Sequence, residues 1–316
     1  MNAGPGVSVL MPAYNHAKWV REAIESVFAQ TYRPIELIVI DDGSRDDTFA
    51  AIQTAVRDAP IPVHTTSRAN RGVSATLNEC YRLSSGKLIA HLASDDMYRP
   101  TFVERVVERY QAVGNAVFHT DAVRLVGSRF EPLGRSRIPA EGHCFRELAE
   151  GKLRIISSTV VVPRTVWETC GDYDESFRAE DYDMHLRQAR VAPFEYIDEA
   201  LFVSRALPGS LGRSPAIWAD DIFASLRKHA DFFATGELDV ILQNRRMLLA
   251  HTCAAHGQWR SGLHFAAEAV RNARVDSMPG VALKAARTVA LSYGRGAVAR
   301  RLPASTKRWL KAKLRS

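Results

Sequence analysis

The chain has 316 residues, of which 46% are hydrophobic, and a formal net charge of +7 at pH 7. A chain of this length and composition can bury a full core, so we expect one large globular domain with an appended region. The four cysteines have neither CxxC spacing nor neighbouring histidines, which argues against a zinc site and a disulfide framework. No stretch reaches the roughly 18 apolar residues of a spanning helix, and no leader pattern opens the chain, so we expect a cytoplasmic protein.

The positive charge is concentrated at the C-terminal end of the chain. Residues 277–316 contain ten Lys and Arg and no Asp or Glu, whereas residues 1–276 carry a net charge of −3. A nucleic-acid-binding protein is expected to carry its positive charge on a folded face with interleaved aromatic residues. The slightly acidic body therefore argues against nucleic acid as a partner.

The first hundred residues predict strands that alternate with helices. The predicted strands cover residues 7–11, 35–40, 63–66 and 88–92. The first helix is indicated by apolar residues at helical spacing from Val20 to Phe28, the second by a capping-box pattern from Ser44 to Asp47, and the third covers residues 73–83. Alternation at this spacing predicts βαβ units with a largely parallel sheet.

The remainder of the chain has a weaker strand pattern. We predict a helix over residues 102–113, strands near 117–120 and 155–162, and a surface excursion over 127–151 that contributes to an acceptor site. Beyond residue 215 the pattern predicts about four helices. The pair around Gly257 either packs as a simple extension or forms one partner-binding repeat.

Phosphate-binding glycine motifs are absent from the sequence. The turn after the first strand has no glycine, and no GxxxxGK[ST] motif occurs, which argues against a dinucleotide fingerprint and a P-loop. The pyrophosphate of a bound nucleotide therefore needs another source of positive charge. A divalent cation held by carboxylates is the candidate.

Two predicted strands end in aspartate pairs, Asp41-Asp42 and Asp95-Asp96. In an open α/β sheet, ligands bind beyond the carboxyl ends of the strands, so both pairs are expected in one crevice. Asp95-Asp96 suits Mg²⁺ or Mn²⁺, although it could instead cap the following helix. Asp41-Asp42 can accept hydrogen bonds from a base or ribose, or it can form an Asx turn. Tyr14 offers an aromatic face for a base to stack on, or it is a packed loop residue.

A third acidic segment, Glu180-Asp181-Tyr182-Asp183, lies far along the chain. If a helix begins near Asp181, its carboxylate faces the crevice from a different segment than the aspartate pairs. That separation suits a general base. The alternative is that these acids only complement the helix dipole.

Five segments occur in an order that is similar to one enzyme family. They are Val-Ser-Val-Leu-Met-Pro-Ala-Tyr-Asn from residue 7, Ile-Val-Ile-Asp-Asp-Gly-Ser from 38, Asn-Arg-Gly-Val-Ser from 70, Ser94-Asp95-Asp96 with Pro100, and Gly-Asp-Tyr-Asp-Glu from 171 with Glu180-Asp181. With these motifs, residues 7–210 resemble the inverting nucleotide-sugar glycosyltransferases of family 2. The resemblance implies the GT-A fold, a Rossmann-like, mostly parallel sheet flanked by helices, here with a C-terminal helical extension.

The resemblance also implies the roles of individual residues. The nucleotide contacts are Pro12, Tyr14, Asp41, Asp42, Arg71 and Ser94. Asp95, assisted by Asp96, holds Mg²⁺ or Mn²⁺, and Asp181 is the base, with Glu180 and Asp183 as alternates. Residues 1–214 form the glycosyltransferase domain, with a nucleotide half to about 100 and an acceptor half from 101, and residues 215–316 form the helical region.

The implied reaction moves a sugar from a nucleotide-diphosphate donor, UDP-linked, to a saccharide or lipid-linked acceptor in cell-surface polysaccharide synthesis. The alternative is a non-catalytic nucleotide-sugar binder with the same fold, because three positions depart from the family pattern. Ala93 stands where many members have a further Asp, Leu77 where they often have Arg, and Leu207 where a loop often has His. Arg71 is the candidate to replace the cation that is lacking at Leu77.

The basic tail suggests a membrane partner. Trp309, Leu310 and Leu314 lie near one helical face with cations around the rest, a pattern that favours binding to an anionic bilayer. We therefore expect a peripheral location at the inner face of the cell membrane. The alternatives are a solvated chain end and an RNA-associated tail.

Overall fold

The fold was analysed in a computed structural model, which describes residues 4–132, 138–207 and 215–272. The chain divides into two compact units. One comprises Met1–Leu148 and Lys152–Pro208, and the other comprises Ala149–Gly151 and Gly209–Ser316. The domain boundary expected at residue 214 stays a prediction.

Strands and helices alternate at the start of the first unit, up to residue 91. The strands are β1 Val7–Ala13, β2 Ile35–Asp41, β3 Val63–Ser67, β4 Leu88–His91, β5 Met97–Tyr98, β6 Val117–Val126, β7 Arg129–Pro132, β8 Ile138–Pro139, β9 Leu153–Arg154, β10 Val161–Pro163 and β11 Phe194–Arg205. The helices are α1 Val20–Phe28, α2 Thr48–Ala55, α3 Val73–Leu83, α4 Phe102–Val113, α5 Phe145–Glu150, α6 Arg164–Cys170 and α7 Glu180–Val191.

A nine-stranded mixed sheet forms the centre of this unit. Its order is β3-β2-β1-β4-β10-β6-β11-β5, and β7 pairs with β6. Strands β3, β2, β1, β4, β6 and β11 run in one direction, whereas β10, β5 and β7 run against it. The predicted α/β fold with a mostly parallel sheet is confirmed. The chain leaves β1 towards β2 and later returns to β4 on its other side, which creates a switch point at the carboxyl ends of β1 and β4.

Burial explains why the first strands are so apolar. Nearly every residue of β1 and β2 is buried, as expected for central parallel strands covered by helices on both faces. The predicted apolar face of α1 is also buried, and Val20, Ile24 and Val27 have no exposed area. These side chains join the main hydrophobic core, together with Phe102 and Phe202.

Two local predictions are wrong. The capping box is not formed, because Ser44 lies outside α2, which begins at Thr48 with Asp47 at its N-cap and no side-chain cap hydrogen bond. The predicted strand over residues 155–162 is interrupted by a 3₁₀ turn at Ser157–Thr159. The Thr159 hydroxyl donates to the backbone carbonyl of Ile156 over 2.7 Å, a local bond that competes with strand pairing.

The segment over residues 127–151 is not wholly a surface excursion. Its first part extends β6 into a hairpin with β7. Further on, Ala140, Cys144, Phe145 and Leu148 are buried. The glycines and charged residues that suggested an exposed loop are interspersed with these apolar side chains, which pack inside the unit.

The second unit is helical in its described part. Its α-helices are α8 Ala219–Lys228, α9 Glu237–Ala255 and α10 Trp259–Arg271. Phe223 of α8 lies 6.5 Å from Phe265 of α10, measured between ring centroids. Helices α9 and α10 approach closely at Gly262, where an added Cβ would lie 2.9 Å from the carbonyl oxygen of Ala250. A larger side chain at this position would separate the two helices.

The basic tail at residues 277–316, and with it any fourth C-terminal helix, lies outside the described residues. Among the helices of the described ranges, none has both the length and the hydropathy that crossing a bilayer requires.

Candidate functional site

The candidate site lies beyond the carboxyl ends of β1, β2 and β4. Pro12 lies near the end of β1, and the loop that follows contains Tyr14, which is 40% exposed. Asn15 follows with a φ of 55°, a left-handed conformation that Asn tolerates better than most residues. Its side-chain oxygen accepts a hydrogen bond from the backbone N–H of Arg45 over 2.8 Å. The exposed ring of Tyr14 is thus carried by a loop that is fixed to the β2 side of the sheet.

Asp42, the second acid of the β2 pair, organises the loop over residues 68–72. Its Oδ1 accepts hydrogen bonds from the Arg68 guanidinium and from the backbone N–H of Arg71. Its Oδ2 accepts from the Asn70 side chain at 3.0 Å and from the backbone N–H of Gly72 at 2.9 Å. Because four donors from one loop occupy this buried carboxylate, its main role in the structure is to hold that loop.

Asp41 has fewer partners than Asp42. Its Oδ2 accepts a 2.7 Å hydrogen bond from the Ser67 hydroxyl, and the backbone N–H of Ser44 lies 3.4 Å from Oδ1. The Asx turn expected as an alternative is therefore present only as a long contact. Gly43 makes the close approach of the loop possible, since it has a φ of 73° and an added Cβ would lie 2.6 Å from the Asn70 nitrogen.

Two arginines of the loop over residues 68–72 lie near Leu77 in sequence, and the role of Arg71 as the compensating cation stays a prediction. Leu77 is fully buried in the core. The Arg71 side chain is half exposed, with guanidinium nitrogens 4.0 Å from Glu79 and from Glu175. Arg68 is more enclosed and binds Glu79 through Nε over 2.7 Å as well as Asp42. The sequence pattern gave no reason to single out Arg68.

In the β4 pair, Asp95 is the acid that is open to a ligand. Its side chain is 18% exposed, and the nearest ring nitrogen, Nδ1 of His16, lies 4.0 Å from Oδ1. Within the described residues, no hydrogen-bond donor occupies its carboxylate. Ser94, expected at the nucleotide, is buried, and its hydroxyl lies 2.8 Å from Nδ1 of His16.

Asp96 is oriented towards the neighbouring strand. Its Oδ1 accepts a 2.7 Å hydrogen bond from the backbone N–H of Arg205, and the Arg205 guanidinium donates to the carbonyl of Asp95 over 3.0 Å. Burial, and then the negative charge of Asp95, raise the pKa of Asp96 to about 7. Asp96 thus fastens the loop after β4 to the end of β11.

Asp181 lies in the first turn of α7, as predicted, and is partly exposed. The Ser157 hydroxyl donates to its Oδ2 over 2.5 Å. The charge of Asp181 acts on His91, the last residue of β4, and favours the protonated form of that imidazole. Asp181 therefore lies near the same strand that leads to Asp95.

The two alternative bases have different settings. Asp183 is fully buried, and its Oδ2 accepts a 2.9 Å hydrogen bond from Nε of Arg187. A carboxylate enclosed in this way has no route to an acceptor substrate. Glu180 lies at the start of the same helix and is partly exposed.

A buried asparagine connects the nucleotide side of the unit to the segment that precedes α7. The Asn78 side chain accepts from the backbone N–H of Tyr173 over 2.8 Å and donates to its carbonyl over 3.0 Å. Its amide also lies 3.3 Å from Glu175. These hydrogen bonds thereby tie α3 to the segment that leads into α7.

One open carboxylate at the crevice, that of Asp95, is of the type that a hard divalent cation prefers. Asp95 offers carboxylate oxygens, which Mg²⁺ and Mn²⁺ prefer. In the part of the chain that the structure describes, no group of three or more His, Cys, Asp or Glu side chains lies close enough together to hold a metal ion. Leu207 is the last residue before the undescribed range 208–214, so its expected position beside the diphosphate stays a prediction.

Sequence reasoning missed several residues of the site, namely His16, Arg68, Asn78, Ser157 and Arg205. Each acts through a partner that is distant along the chain, from 24 residues for Ser157 and Asp181 to 109 for Arg205 and Asp96. Spacing rules cover short separations and gave no signal for these pairs.

Comparison with known proteins identifies the family. The family model described as "Glycosyl transferase family 2" matches residues 8–164. The putative glycosyltransferase EpsE of Bacillus subtilis is 31% identical over 197 residues, which cover 59% of this chain and 68% of EpsE. An uncharacterized glycosyltransferase (RP339) of Rickettsia prowazekii is 29% identical over 64% of both chains.

A further relative is much longer than the region it shares with this chain. The chondroitin synthase of Escherichia coli is 29% identical over 65% of this chain but only 29% of that enzyme. The alignments thus span less than two thirds of RP339 and under a third of the chondroitin synthase.

Solved structures support the fold. Residues 1–349 of TarS from S. aureus, in complex with UDP-GlcNAc, align with a TM-score of 0.65 at 18% identity, over 91% of this chain and 89% of that one. The mannosyltransferase PcManGT from Pyrobaculum calidifontis, in complex with GDP-Man and Mn²⁺, aligns with a TM-score of 0.59 at 16% identity, over 99% and 85%. At these identities the likeness shows the GT-A fold alone. Together with the sequence matches, it leads to the conclusion that the chain belongs to glycosyltransferase family 2.

Proposed function

We propose that this chain transfers a sugar from a nucleotide-diphosphate donor, UDP-linked, to a hydroxyl of a saccharide or lipid-linked saccharide, with inversion at the anomeric carbon. One observation carries the proposal. The open carboxylate Asp95 and the partly exposed carboxylate Asp181 both lie near the end of β4, on segments far apart in sequence. A displacement reaction needs this division between the leaving-group side and the acceptor side.

The nucleotide would occupy the crevice between β1, β2 and β4. Tyr14 offers an exposed ring for stacking, and Asp41 retains acceptor capacity for a base or ribose. Asp42 and Ser94 support this binding indirectly through the loop over residues 68–72 and through His16. The guanidinium of the half-exposed Arg71 lies 4.0 Å from Glu79. Arg71 would leave this contact to bind the nucleotide.

A divalent cation would be held by Asp95 and by the donor diphosphate, with Asp96 keeping the loop in position. When bound, Mg²⁺ or Mn²⁺ supplies positive charge that stabilises the leaving diphosphate. Two observations support a cation at this position. One is the open carboxylate of Asp95, and the other is the likeness to PcManGT, which is described with GDP-Man and Mn²⁺.

Asp181 would remove the proton from the acceptor hydroxyl as its oxygen attacks the anomeric carbon. The bond from that carbon to the diphosphate oxygen breaks, and the nucleoside diphosphate leaves with the electron pair. A single displacement inverts the configuration and needs no nucleophile from the protein. TarS with UDP-GlcNAc supports a UDP-linked donor, and the matches to chondroitin synthase and EpsE support a polysaccharide product.

A thermal-shift panel of nucleotide sugars with Mn²⁺, and with a chelator, tests the donor first. A ligand that binds only the folded state raises the melting temperature, so we expect UDP-sugars to stabilise the protein more than GDP-sugars, and less so with the chelator. Release of UDP from the selected donor then separates an enzyme from a non-catalytic binder. Binding without turnover in the presence of varied saccharide acceptors would contradict catalysis.

Asp181→Asn tests the base. We expect turnover to fall at least 100-fold while UDP affinity stays within a few-fold, because the base acts on the acceptor and not on the nucleotide. Asp183→Asn is a poor control because it would break a buried ion pair, so Glu180→Gln serves as the matched variant. Normal turnover in Asp181→Asn would move the base elsewhere.

The basic tail would bring the enzyme to an anionic membrane surface. Cosedimentation with vesicles of phosphatidylglycerol and phosphatidylcholine, for the full chain and for a chain ending at residue 276, tests this role. Equal binding by both chains would remove the tail from the proposal.

A further inference from the structure

Asp181 belongs to a hydrogen-bonded chain of side chains that continues into the protein interior. The Ser157 hydroxyl lies 2.5 Å from Oδ2 of Asp181 and 3.2 Å from Nε2 of His185. On its far side, Nδ1 of His185 lies 3.0 Å from Oε1 of Gln188. The order is therefore Asp181, Ser157, His185 and Gln188, with the serine hydroxyl between a carboxylate and an imidazole.

The imidazole has one proton, and Gln188 determines which nitrogen carries it. Burial lowers the pKa of His185, so the ring is neutral near pH 7 and only one of its nitrogens is protonated. Because Oε1 of Gln188 can only accept, that proton is on Nδ1. Nε2 therefore presents a lone pair to Ser157.

Ser157 is thus one donor between two acceptors. The shorter distance, and the stronger hydrogen bonds that charged acceptors form, direct its proton to Asp181 while that carboxylate is ionised. The 3₁₀ turn keeps the serine in this position, since Thr159 bonds to the carbonyl of Ile156 through both its backbone N–H and its hydroxyl. A cavity of about 10 Å³ beside Ser157 and His185 has room for at most one water, so the protein supplies most of the partners.

We propose that Ser157 and His185 are positioning residues that satisfy Asp181 in both of its protonation states. While Asp181 is ionised, Ser157 donates to it. Once Oδ2 of Asp181 carries the proton taken from the acceptor, it donates to the serine oxygen, and the serine hydroxyl turns to donate to Nε2 of His185. No covalent bond of Ser157 or His185 breaks, and when Asp181 releases its proton the hydroxyl turns back. This inference rests on the proposed role of Asp181 as the base.

Other titratable groups face these hydrogen-bonded side chains from the elements packed against them. His91 faces them from β4, and desolvation lowers the pKa of this partly exposed ring to about 4. Tyr173 faces them from the segment before α7, and burial raises the pKa of its phenol. On α7 itself, Glu180, Asp183 and Arg187 are further charged side chains. Among the four hydrogen-bonded residues, Asp181 and His185 are the two whose side chains bind and release a proton.

The direct test follows proton binding by NMR, with the proton itself as the probe. The ¹³Cγ resonance of Asp181 is assigned by its loss in Asp181→Asn, and its titration midpoint is compared between variants of the full chain. In Ser157→Ala the ionised carboxylate loses a donor, so we expect the midpoint to rise by about one pH unit. In His185→Leu the protonated arrangement loses its acceptor, so we expect the midpoint to fall. A purely structural role would not move the two midpoints in opposite directions.

Conservative variants and a neighbouring serine serve as controls. Ser157→Thr and His185→Gln keep a hydroxyl and an acceptor at the two positions, so both should remain within about 0.3 pH units of wild type. Ser158→Ala removes a hydroxyl from the same turn without changing the bond to Asp181, and its midpoint should not move. If Ser157→Ala does not fold, Ser157→Cys, a weaker donor, should move the midpoint in the same direction.

Two outcomes would overturn the proposal. One is a midpoint in Ser157→Ala that equals that of Ser158→Ala, and the other is a shift in the same direction for Ser157→Ala and His185→Leu. Turnover of Asp181→Asn on the donor selected by the panel separates this result from the proposed function. Lost turnover with unmoved midpoints rejects only the network, whereas full turnover rejects Asp181 as the base whatever the midpoints are.

Discussion

The two aspartate pairs have the same sequence pattern and different surroundings. The β2 pair is surrounded by donors, since Asp42 alone accepts from a guanidinium, an amide and two backbone N–H groups. The β4 pair has few hydrogen-bond donors, and the partly buried Asp96, beside the like charge of Asp95, has a raised pKa. In both pairs the second acid holds backbone, while the first retains acceptor capacity. The same dipeptide therefore has different surroundings in the two positions, which is the basis for proposing nucleotide contact in one case and a cation in the other.

The largest expected effect is at the β2 pair, which has more hydrogen-bond donors around it than the β4 pair. Asp42→Ala would leave the partly buried Arg68 and two backbone N–H groups without their acceptor, so we expect the free energy of unfolding to fall by about 4 kcal/mol. Urea denaturation measures it. Asp41→Ala, which removes a carboxylate with a single short hydrogen bond, should cost less than half as much. Equal losses would mean that the two acids share the structural role.

The second effect distinguishes the acids of the β4 pair. We expect Asp95→Asn to weaken the Mn²⁺-dependent binding of UDP about 100-fold, and Asp96→Asn to weaken it only a few-fold, because an amide oxygen can still accept from the backbone of Arg205. Calorimetric titration of UDP with and without Mn²⁺ measures both. A larger loss in Asp96→Asn would reverse the assignment.

The third effect tests the close approach of the loop to β2. Gly43→Ala would force a Cβ against the Asn70 nitrogen at a positive φ, and we expect it to destabilise the fold by about 2 kcal/mol. Gly127→Ala is the matched control, because its φ is 60° but no atom lies within 4 Å of an added Cβ. The difference between the stability losses of the two variants measures the steric contribution. Similar losses would mean that only the positive φ destabilises the substituted residue.

The smallest effect concerns pH and the β4 side. His91 has a pKa lowered to about 4 in the folded chain, whereas an unfolded histidine titrates near 6.5. Between these values the unfolded chain binds more protons, so stability falls as pH decreases. We expect His91→Gln to reduce the loss of stability between pH 7 and pH 5 by about 1 kcal/mol. Unchanged pH dependence would show that the ring is better solvated than its position suggests.

The sequence predicted most of the first unit because its signals are local. Buried apolar runs for β1 and β2, and apolar spacing for α1, depend on neighbours within a few residues. The 3₁₀ turn at Ser157–Thr159 was missed because an apolar stretch around it matched a strand, and its cause is a hydroxyl that bonds locally. The antiparallel insertion of β10 between β4 and β6 also left no trace in the pattern.

The candidate site could be predicted only in part. Motifs indicated the acids but not what each acid binds, because the partners of Asp42, Asp96 and Asp181 are brought together by tertiary folding. Arg71, Ser94 and Asp42 remain predicted nucleotide residues, although the structure gives each a second role in holding a loop. The hydrogen bonds that join Asp181, Ser157 and His185 could not be predicted, because they connect side chains of two separate elements, the 3₁₀ turn and α7.

The bond between Asn78 and Tyr173 has a consequence for protein engineering. One amide side chain pairs with both backbone groups of a residue 95 positions away, as an adjacent strand would. Consider a chimera in which the residues beyond about 100 come from a relative. Its α3 and its residues 171–175 would have to be taken from the same parent. A crossover between these two segments would remove both hydrogen bonds between the Asn78 side chain and the backbone of residue 173. The segment to exchange is therefore defined by this contact and not by the order of the motifs.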